Sequence, residues 1–148
     1  MYILVVTLLM LVMPLASVAI ESGSSAGLVA LLLKWFVFWG VGVRLAVAGL
    51  RQTVKPALTA ELLGIKSSDA NFVIRELGFA NLAIGSLGIA SLSAPAWLHG
   101  AALAGAIFYA LVGIQHVLAP HRTRDENVAM VSDLATAIVL AALLVMDR

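Results

Sequence analysis

The sequence contains no cysteine and little charge. Its 148 residues include nine Lys and Arg and eight Asp and Glu, and 11% are charged, against about 25% in a typical soluble domain. Without cysteine the chain has no thiolate zinc site, iron–sulfur cluster, thiol nucleophile or covalently attached c-type haem. A formal net charge of +1 provides no long-range field for polyanions, so we predict no nucleic-acid partner.

Apolar residues dominate the composition. They make up 62% of the chain, and the mean hydropathy is +1.06. A bilayer core requires about 20 apolar residues per helical crossing, whereas a closed barrel requires alternating strands of about ten residues. The apolar runs here do not alternate. We therefore predict an all-α, integral membrane helical bundle of about five transmembrane helices, with a four-helix core and an additional N-terminal span.

The predicted spans form one domain over residues 1–148. Their approximate bounds are 2–20, 27–50, 72–92, 101–118 and 124–146.

Proline, glycine and capping residues mark the ends and breaks of these spans. Pro14 lies inside the first span and should kink it. A signal peptide is the competing interpretation of that span, but no Lys or Arg precedes its apolar run. The connection 51–71 is amphipathic, and we expect a short helix over Pro56–Ile65, closed by Gly64. At the start of the fifth span, Thr123-Arg124-Asp125-Glu126 fits a capping box.

Lys and Arg are distributed unequally between the two ends of the predicted bundle. On the opposite side from the N-terminus, only Arg148 lies outside the spans. The positive-inside rule predicts a multi-pass protein of the bacterial inner (cytoplasmic) membrane with its N-terminus cytoplasmic and its C-terminus outside. The cations of the N-terminal side are Arg51, Lys55, Lys66, Arg122 and Arg124.

Polar residues inside the spans are the candidate site residues, because a charge near the bilayer centre costs at least roughly 2.5 kcal/mol. With a rise of about 1.5 Å per residue, most of the charged members fall roughly 5 to 12 Å to the cytoplasmic side of the centre. We predict a buried polar layer at this depth. Its candidates are Arg44, Arg75, Glu76, Asn81, Tyr109, Gln115, His116 and Asp133.

Helical periodicity places small residues beside several of these candidates. His116 shares a narrow stripe with Gly105, Tyr109 and Gly113. The third span fits less well, since its glycines and Asn81 share a face that Glu76 opposes. Glycine at this density in a membrane helix indicates close approach of a neighbouring helix.

Two interpretations of the polar layer remain open. In the first it is a structural lock, in which Arg44 or Arg75 pairs with Asp133 or Glu76 while Gln115, His116 and Asn81 bond across helices. In the second it is a cytoplasm-facing pocket for a small polar or amphipathic ligand, such as a quinone headgroup, or a proton relay through His116 and a carboxylate.

Other ligands have less support. No HxxxH or HExxH spacing occurs, so we predict no metal site and no catalytic residue. A haem b would need His116 together with a ligand from another chain or an unusual partner. We expect Lys34 to extend to the outer headgroups, with Trp35 and Trp39 as interfacial anchors, and Arg75 can extend to the inner headgroups in the same way.

Four segments of the sequence carry a resemblance to known proteins: Lys34–Trp39, Arg75–Asn81, Phe108–His116 and Asn127–Asp133. They resemble a family of small bacterial multi-pass inner-membrane proteins that is known only as a domain of unknown function. The resemblance covers nearly the whole chain and implies no activity. More remotely, the third span is similar to the DoxX-like group of small four-helix membrane proteins, some of which are linked to quinone-coupled sulfur oxidation. The additional N-terminal span departs from that pattern.

These observations predict a small membrane protein that is a non-catalytic or accessory component of a membrane assembly and is not itself an enzyme. Its expected partners are the lipid bilayer and either a second copy or another membrane protein. The alternatives are a quinone-linked redox subunit and a pathway for protons or a small solute. Five spans without a visible internal repeat are few for an inverted-repeat transporter.

Overall fold

The computed structural model describes residues 2–62, 65 and 67–147, and 85% of these residues are helical. No strand occurs in these residues. Two helices contain π-helical segments: α1 is Tyr2–Thr7, Leu8–Val12 and Met13–Glu21, and α2 is Leu28–Phe36, Val37–Val43 and Arg44–Val54. The others are α3 (Pro56–Leu62), α4 (Ala70–Ala90), α5 (Leu98–Leu118) and α6 (Arg124–Met146).

Five helices are long and apolar enough to cross a membrane, with mean hydropathy between 1.4 and 2.7 in their most apolar windows. This confirms the predicted all-α bundle. The five membrane-length helices are Ile3–Glu21, Leu28–Val54, Ala70–Ala90, Pro95–Leu118 and Arg124–Met146.

Several helix ends differ from the predicted bounds. Helix α2 continues to Val54 rather than ending near residue 50. It stops there because Pro56 disfavours helical geometry at the preceding residue, and Lys55 accordingly has φ −132° and ψ 62°. Helix α3 ends at Leu62, and the predicted closure at Gly64 lies outside the described residues. The capping box of α6 is confirmed, since Thr123 and Glu126 each accept the backbone N–H of the other.

Pro14 distorts α1 through the π-helical segment that precedes it. Proline has no N–H to donate to the carbonyl four residues earlier, and its ring needs space in the preceding turn. The chain widens over Leu8–Val12, directly before the α-helical segment in which Pro14 lies near the start. The expected distortion at this position therefore takes the form of a wider turn.

Helix α2 lies at the centre of the packing. Its buried residues Leu33, Val37 and Val41 contact a core that includes Tyr109 from α5 and Leu140 from α6. Helix α1 packs against α2 and α6, and α5 packs along α6.

Helix α4 packs against α2 through glycines, so the two backbones approach closely. A Cβ atom on Gly85 would lie 2.6 Å from the backbone nitrogen of Ala46, and one on Gly49 would lie 2.6 Å from the carbonyl oxygen of Gly78. Any side chain at these positions would separate the helices. The predicted role of these glycines in close helix packing agrees with this geometry.

Candidate functional site

An ion pair between α2 and α6 is the centre of the candidate site. A guanidinium nitrogen of Arg44, Nη2, donates a hydrogen bond of 2.7 Å to Oδ1 of Asp133. The two side chains are 13% and 5% exposed, so the pair is largely enclosed by protein. Of the pairings that the sequence left open, the structure shows this one.

Tyr109 on α5 brings a third helix to the pair. The guanidinium carbon of Arg44 lies 4.8 Å from the centre of the Tyr109 ring, which is a cation–π distance. The ring is 1% exposed, and its hydroxyl donates to the carbonyl oxygen of Gly40. Arg44, Tyr109 and Asp133 therefore form one cluster that joins α2, α5 and α6, and we call it the central polar cluster.

The π-helical segment of α2 helps to place this cluster. It spans Val37–Val43, so it includes Gly40 and ends directly before Arg44. A π-helical turn inserts an additional residue relative to an α-helix and rotates the residues after it about the helix axis. The segment thus sets the direction in which Arg44 leaves the helix.

Thr136 extends the cluster towards α1. This buried residue lies one turn after Ser132 on α6, and its hydroxyl is 2.8 Å from the Ser132 carbonyl oxygen. The same hydroxyl is 3.8 Å from the sulfur of Met10. Helix α1 therefore contacts the face of α6 that carries Asp133.

The remaining candidates on α5 lie at the edge of the cluster. His116 is half-buried and lies two turns after Tyr109 on the same face of α5. Gln115 is exposed, so it does not lie with Arg44 and Asp133.

A second polar contact joins α2 to α4. The amide nitrogen of Asn81, a residue that is 3% exposed, donates a 2.7 Å hydrogen bond to Oε1 of Gln52. Three oxygens in this region are buried and have no hydrogen-bond partner within the described part of the chain: Asn81 Oδ1, Thr53 Oγ1 and Asn71 Oδ1. Asn81 thus bonds across helices, as the lock interpretation expects, but it does so away from Arg44.

Arg75 and Glu76 are exposed on α4. Among the residues that can be placed, neither side chain takes part in an ion pair or hydrogen bond. They share a predicted depth with Arg44 and Asp133, but they point away from the bundle.

Several polar contacts of the described residues were missed from the sequence, among them the following three. Glu21 at the end of α1 accepts hydrogen bonds of 2.7 Å from both Lys34 and Trp35, so Lys34 is paired within the chain. Gln52 belongs to the last turns of α2 and not to a connection. Arg122 donates to the carbonyl oxygens of residues 116, 117 and 119 at the end of α5.

In the central polar cluster, Arg44 and Asp133 compensate each other's charge. The face of the Tyr109 ring lies beside the Arg44 guanidinium. Two surface grooves lie elsewhere: one is lined by Arg51, Thr123 and neighbouring residues, the other by α3 and the turn before α4. Neither groove includes Arg44, Tyr109 or Asp133.

The chain is similar in sequence to a known protein family over its whole length. The sequence model of a family of unknown function (DUF6790) matches residues 1–148. No curated protein and no solved structure matches the sequence.

Proposed function

Since the chain belongs to the DUF6790 family, whose function is unknown, we propose that it is a multi-pass membrane protein acting as a non-catalytic component of a membrane assembly. One observation carries this proposal: the only two charges of the central polar cluster, Arg44 and Asp133, are paired at 2.7 Å and enclosed by three helices. In this proposal the cluster is a lock that fixes the arrangement of α2, α5 and α6.

The energetics of buried ion pairs support a lock. A charge in an apolar environment is costly alone, but its cost falls when a partner and hydrogen bonds surround it. Removing one partner leaves the other uncompensated, whereas removing both is often tolerated. A pair of this kind therefore specifies which helices are neighbours without requiring a ligand.

The surface of the bundle supports a membrane location. Large apolar side chains are exposed on every membrane-length helix, for example Leu11, Val47, Phe79, Leu111 and Ile138. Soluble monomers rarely expose apolar surface so extensively. We place the protein in the inner membrane of a bacterium.

The distribution of cations supports the orientation of the bundle. Arg51 at the end of α2 and Arg124 at the start of α6 line one groove, so these helix ends lie at the same end of the bundle. The positive-inside rule then places this end, and the N-terminus, in the cytoplasm.

The absence of cysteine allows a direct test of the orientation. Ser24→Cys and His121→Cys introduce single thiols in exposed connections at opposite ends of the bundle. In intact cells we expect a membrane-impermeant maleimide to label Ser24→Cys, and to label His121→Cys only after permeabilisation. The reverse pattern would overturn the orientation, and equal labelling of both would overturn the membrane location.

A second experiment separates the lock from a ligand site. We expect Arg44→Met and Asp133→Leu each to lower the midpoint of thermal unfolding in a mild detergent. The double variant should recover most of the loss, because it leaves no unpaired charge. Val47→Met, on an exposed face of α2, is the matched control and should leave the midpoint unchanged.

The same purified samples test the quinone and haem alternatives. Wild-type protein and the double variant are extracted and analysed by mass spectrometry, and their visible absorption spectra are compared. The lock requires only phospholipid or a protein partner, in equal amounts in both samples. A stoichiometric quinone or haem that is present in the wild type and absent from the double variant would overturn it.

A further inference from the structure

Helix α4 has two faces of opposite character. Its inner face packs on α2 through Gly78, Gly85 and Gly88 and is buried. Its outer face is exposed and carries Phe72 and Phe79, which are 67% and 56% exposed. A pair of adjacent opposite charges, Arg75 and Glu76, also lies on the exposed side.

The position of Glu76 makes this charge costly in a lipid environment. It lies six residues after the start of α4 at Ala70, or about 9 Å along the helix axis. Lys and Arg side chains near a helix end are long enough to reach the headgroups, but a glutamate side chain is much shorter. Glu76 therefore needs a cation, and no described residue of its own chain provides one.

A second copy of the chain provides the missing charges. In a dimer whose two-fold axis lies along the membrane normal, residues at equal depth face one another, and each contact occurs twice. Arg75 and Glu76 are neighbours in sequence and differ in depth by only about 1.5 Å. The Arg75 of one copy can therefore reach the Glu76 of the other, and the reciprocal pair forms by symmetry.

Beyond Phe79, the outer face carries small residues where two copies of α4 can approach closely. Ala80 and Ala83 follow Glu76 by four and seven residues, so all three lie on one stripe, and all are exposed. Small residues on such a stripe let two helix backbones come together. The small residues allow two copies of α4 to come close, and the charges determine which faces of the two helices meet.

We propose that the outer face of α4 is an interface between two copies of this chain, held by reciprocal ion pairs between Arg75 and Glu76. The proposal rests on the membrane location proposed above and names a partner for the assembly. It assigns a use to the two charges that the central polar cluster does not include.

Cross-linking in native membranes tests the interface. Ala83→Cys places a thiol at the centre of the outer face, in a chain without other cysteines, and Ile138→Cys places one on the exposed side of α6. With a mild oxidant we expect Ala83→Cys to form a disulfide-linked species of twice the chain mass, while Ile138→Cys remains monomeric. Absence of this species, or a product of another mass, would overturn the proposal.

Charge reversal tests the ion pairs. Within the Ala83→Cys background, Glu76→Arg or Arg75→Glu alone gathers like charges at the interface and should lower the cross-linked fraction by about tenfold or more. The combined Arg75→Glu/Glu76→Arg exchange restores complementarity and should restore cross-linking. Co-expression of the two single variants should restore it through a mixed dimer.

Other results of the charge-reversal and labelling experiments would show that the proposed interface is wrong. If charge reversal leaves cross-linking unchanged, the ion pairs do not hold the interface and the proposal is wrong. It is equally wrong if reversal changes only the amount of anionic phospholipid that copurifies. Maleimide labelling of Ser24→Cys and His121→Cys reports membrane insertion separately, so normal labelling without cross-linking overturns the interface alone.

Discussion

Arg44 and Arg75 have the same predicted depth but opposite environments. Arg44 is 13% exposed and pairs with Asp133 at 2.7 Å, whereas Arg75 is exposed and has no ion pair within the residues that the structure covers. Sequence position alone determines depth in a helix, but the direction of a side chain depends on which face the neighbouring helices cover. An arginine in an apolar helix can thus serve the chain's own packing or be available to another molecule.

The packing of the two helices explains this difference. Helix α2 packs against several neighbours, and on the covered face Arg44 meets Tyr109 from α5 and Asp133 from α6. Helix α4 contacts α2 through a face so rich in glycine that backbone lies against backbone. That face has no room for a long side chain, and the charges of α4 are left on the outside.

The largest expected effect comes from removing the carboxylate of the inner pair. Asp133→Ala leaves the enclosed Arg44 guanidinium without its anion, and breaking a buried pair costs roughly 3 to 5 kcal/mol. We expect the free energy of unfolding, measured by detergent titration in mixed micelles, to fall by about this amount.

Asp125→Ala is the matched control for this prediction. It removes the same side chain from the first turn of α6, where a carboxylate contributes about 0.3 to 1 kcal/mol through the helix dipole. Equal losses in the two variants would mean that Asp133 contributes no more than an ordinary helix-end charge.

The sequence predicted the fold and the helices that carry the polar residues, but not which of these residues are partners. Membrane-length apolar runs require helices, and the Thr123 capping box is a local signal, so both could be found without a structure. The choice of Asp133 as the partner of Arg44 depends on packing across helices far apart in sequence. No single-helix pattern contains that information.

Some of the missed contacts did leave a signal in the sequence. Lys34 and Glu21 lie on consecutive helices joined by a short turn, which brings their side chains together at one end of the bundle. Arg122 comes within a few residues of the end of α5, and a basic side chain there often binds the last free carbonyls. Gln52 continues the stripe of Gly42 and Gly49 on α2, which points to α4.

A smaller loss of stability is expected from a substitution on the face of α4 that packs on α2 through glycines. Gly85→Ala introduces a Cβ atom 2.6 Å from a backbone nitrogen of α2, which a rotamer change cannot relieve. Overpacking of this kind costs about 1 to 3 kcal/mol. Gly100→Ala in α5 is the control, because nothing lies within 4 Å of its Cβ position. The same detergent titration should show a loss for Gly85→Ala only.

Tyr109→Phe tests the aromatic part of the inner cluster. It keeps the ring beside Arg44 and removes the hydroxyl that donates to Gly40, so we expect a loss of about 1 kcal/mol. Tyr109→Leu also removes the ring face, and a cation–π contact adds roughly 0.5 to 2 kcal/mol to the loss. If both variants unfolded at the same detergent concentration, the ring would not stabilise the guanidinium.

The smallest expected change in stability is for the exposed charges of α4. It is also the most direct test of the contrast between these charges and the enclosed pair of Arg44 and Asp133. Glu76→Gln removes a charge that belongs to the same predicted polar layer as Asp133, but no described residue of its own chain forms an ion pair with it. In a detergent-diluted monomer the free energy of unfolding should therefore change by less than about 0.5 kcal/mol, as for most surface substitutions. Asp133→Asn is the isosteric counterpart inside the bundle and should reduce it several-fold more. A large loss for Glu76→Gln in the monomer would mean that the chain itself uses this carboxylate, so that exposure would no longer distinguish the two regions.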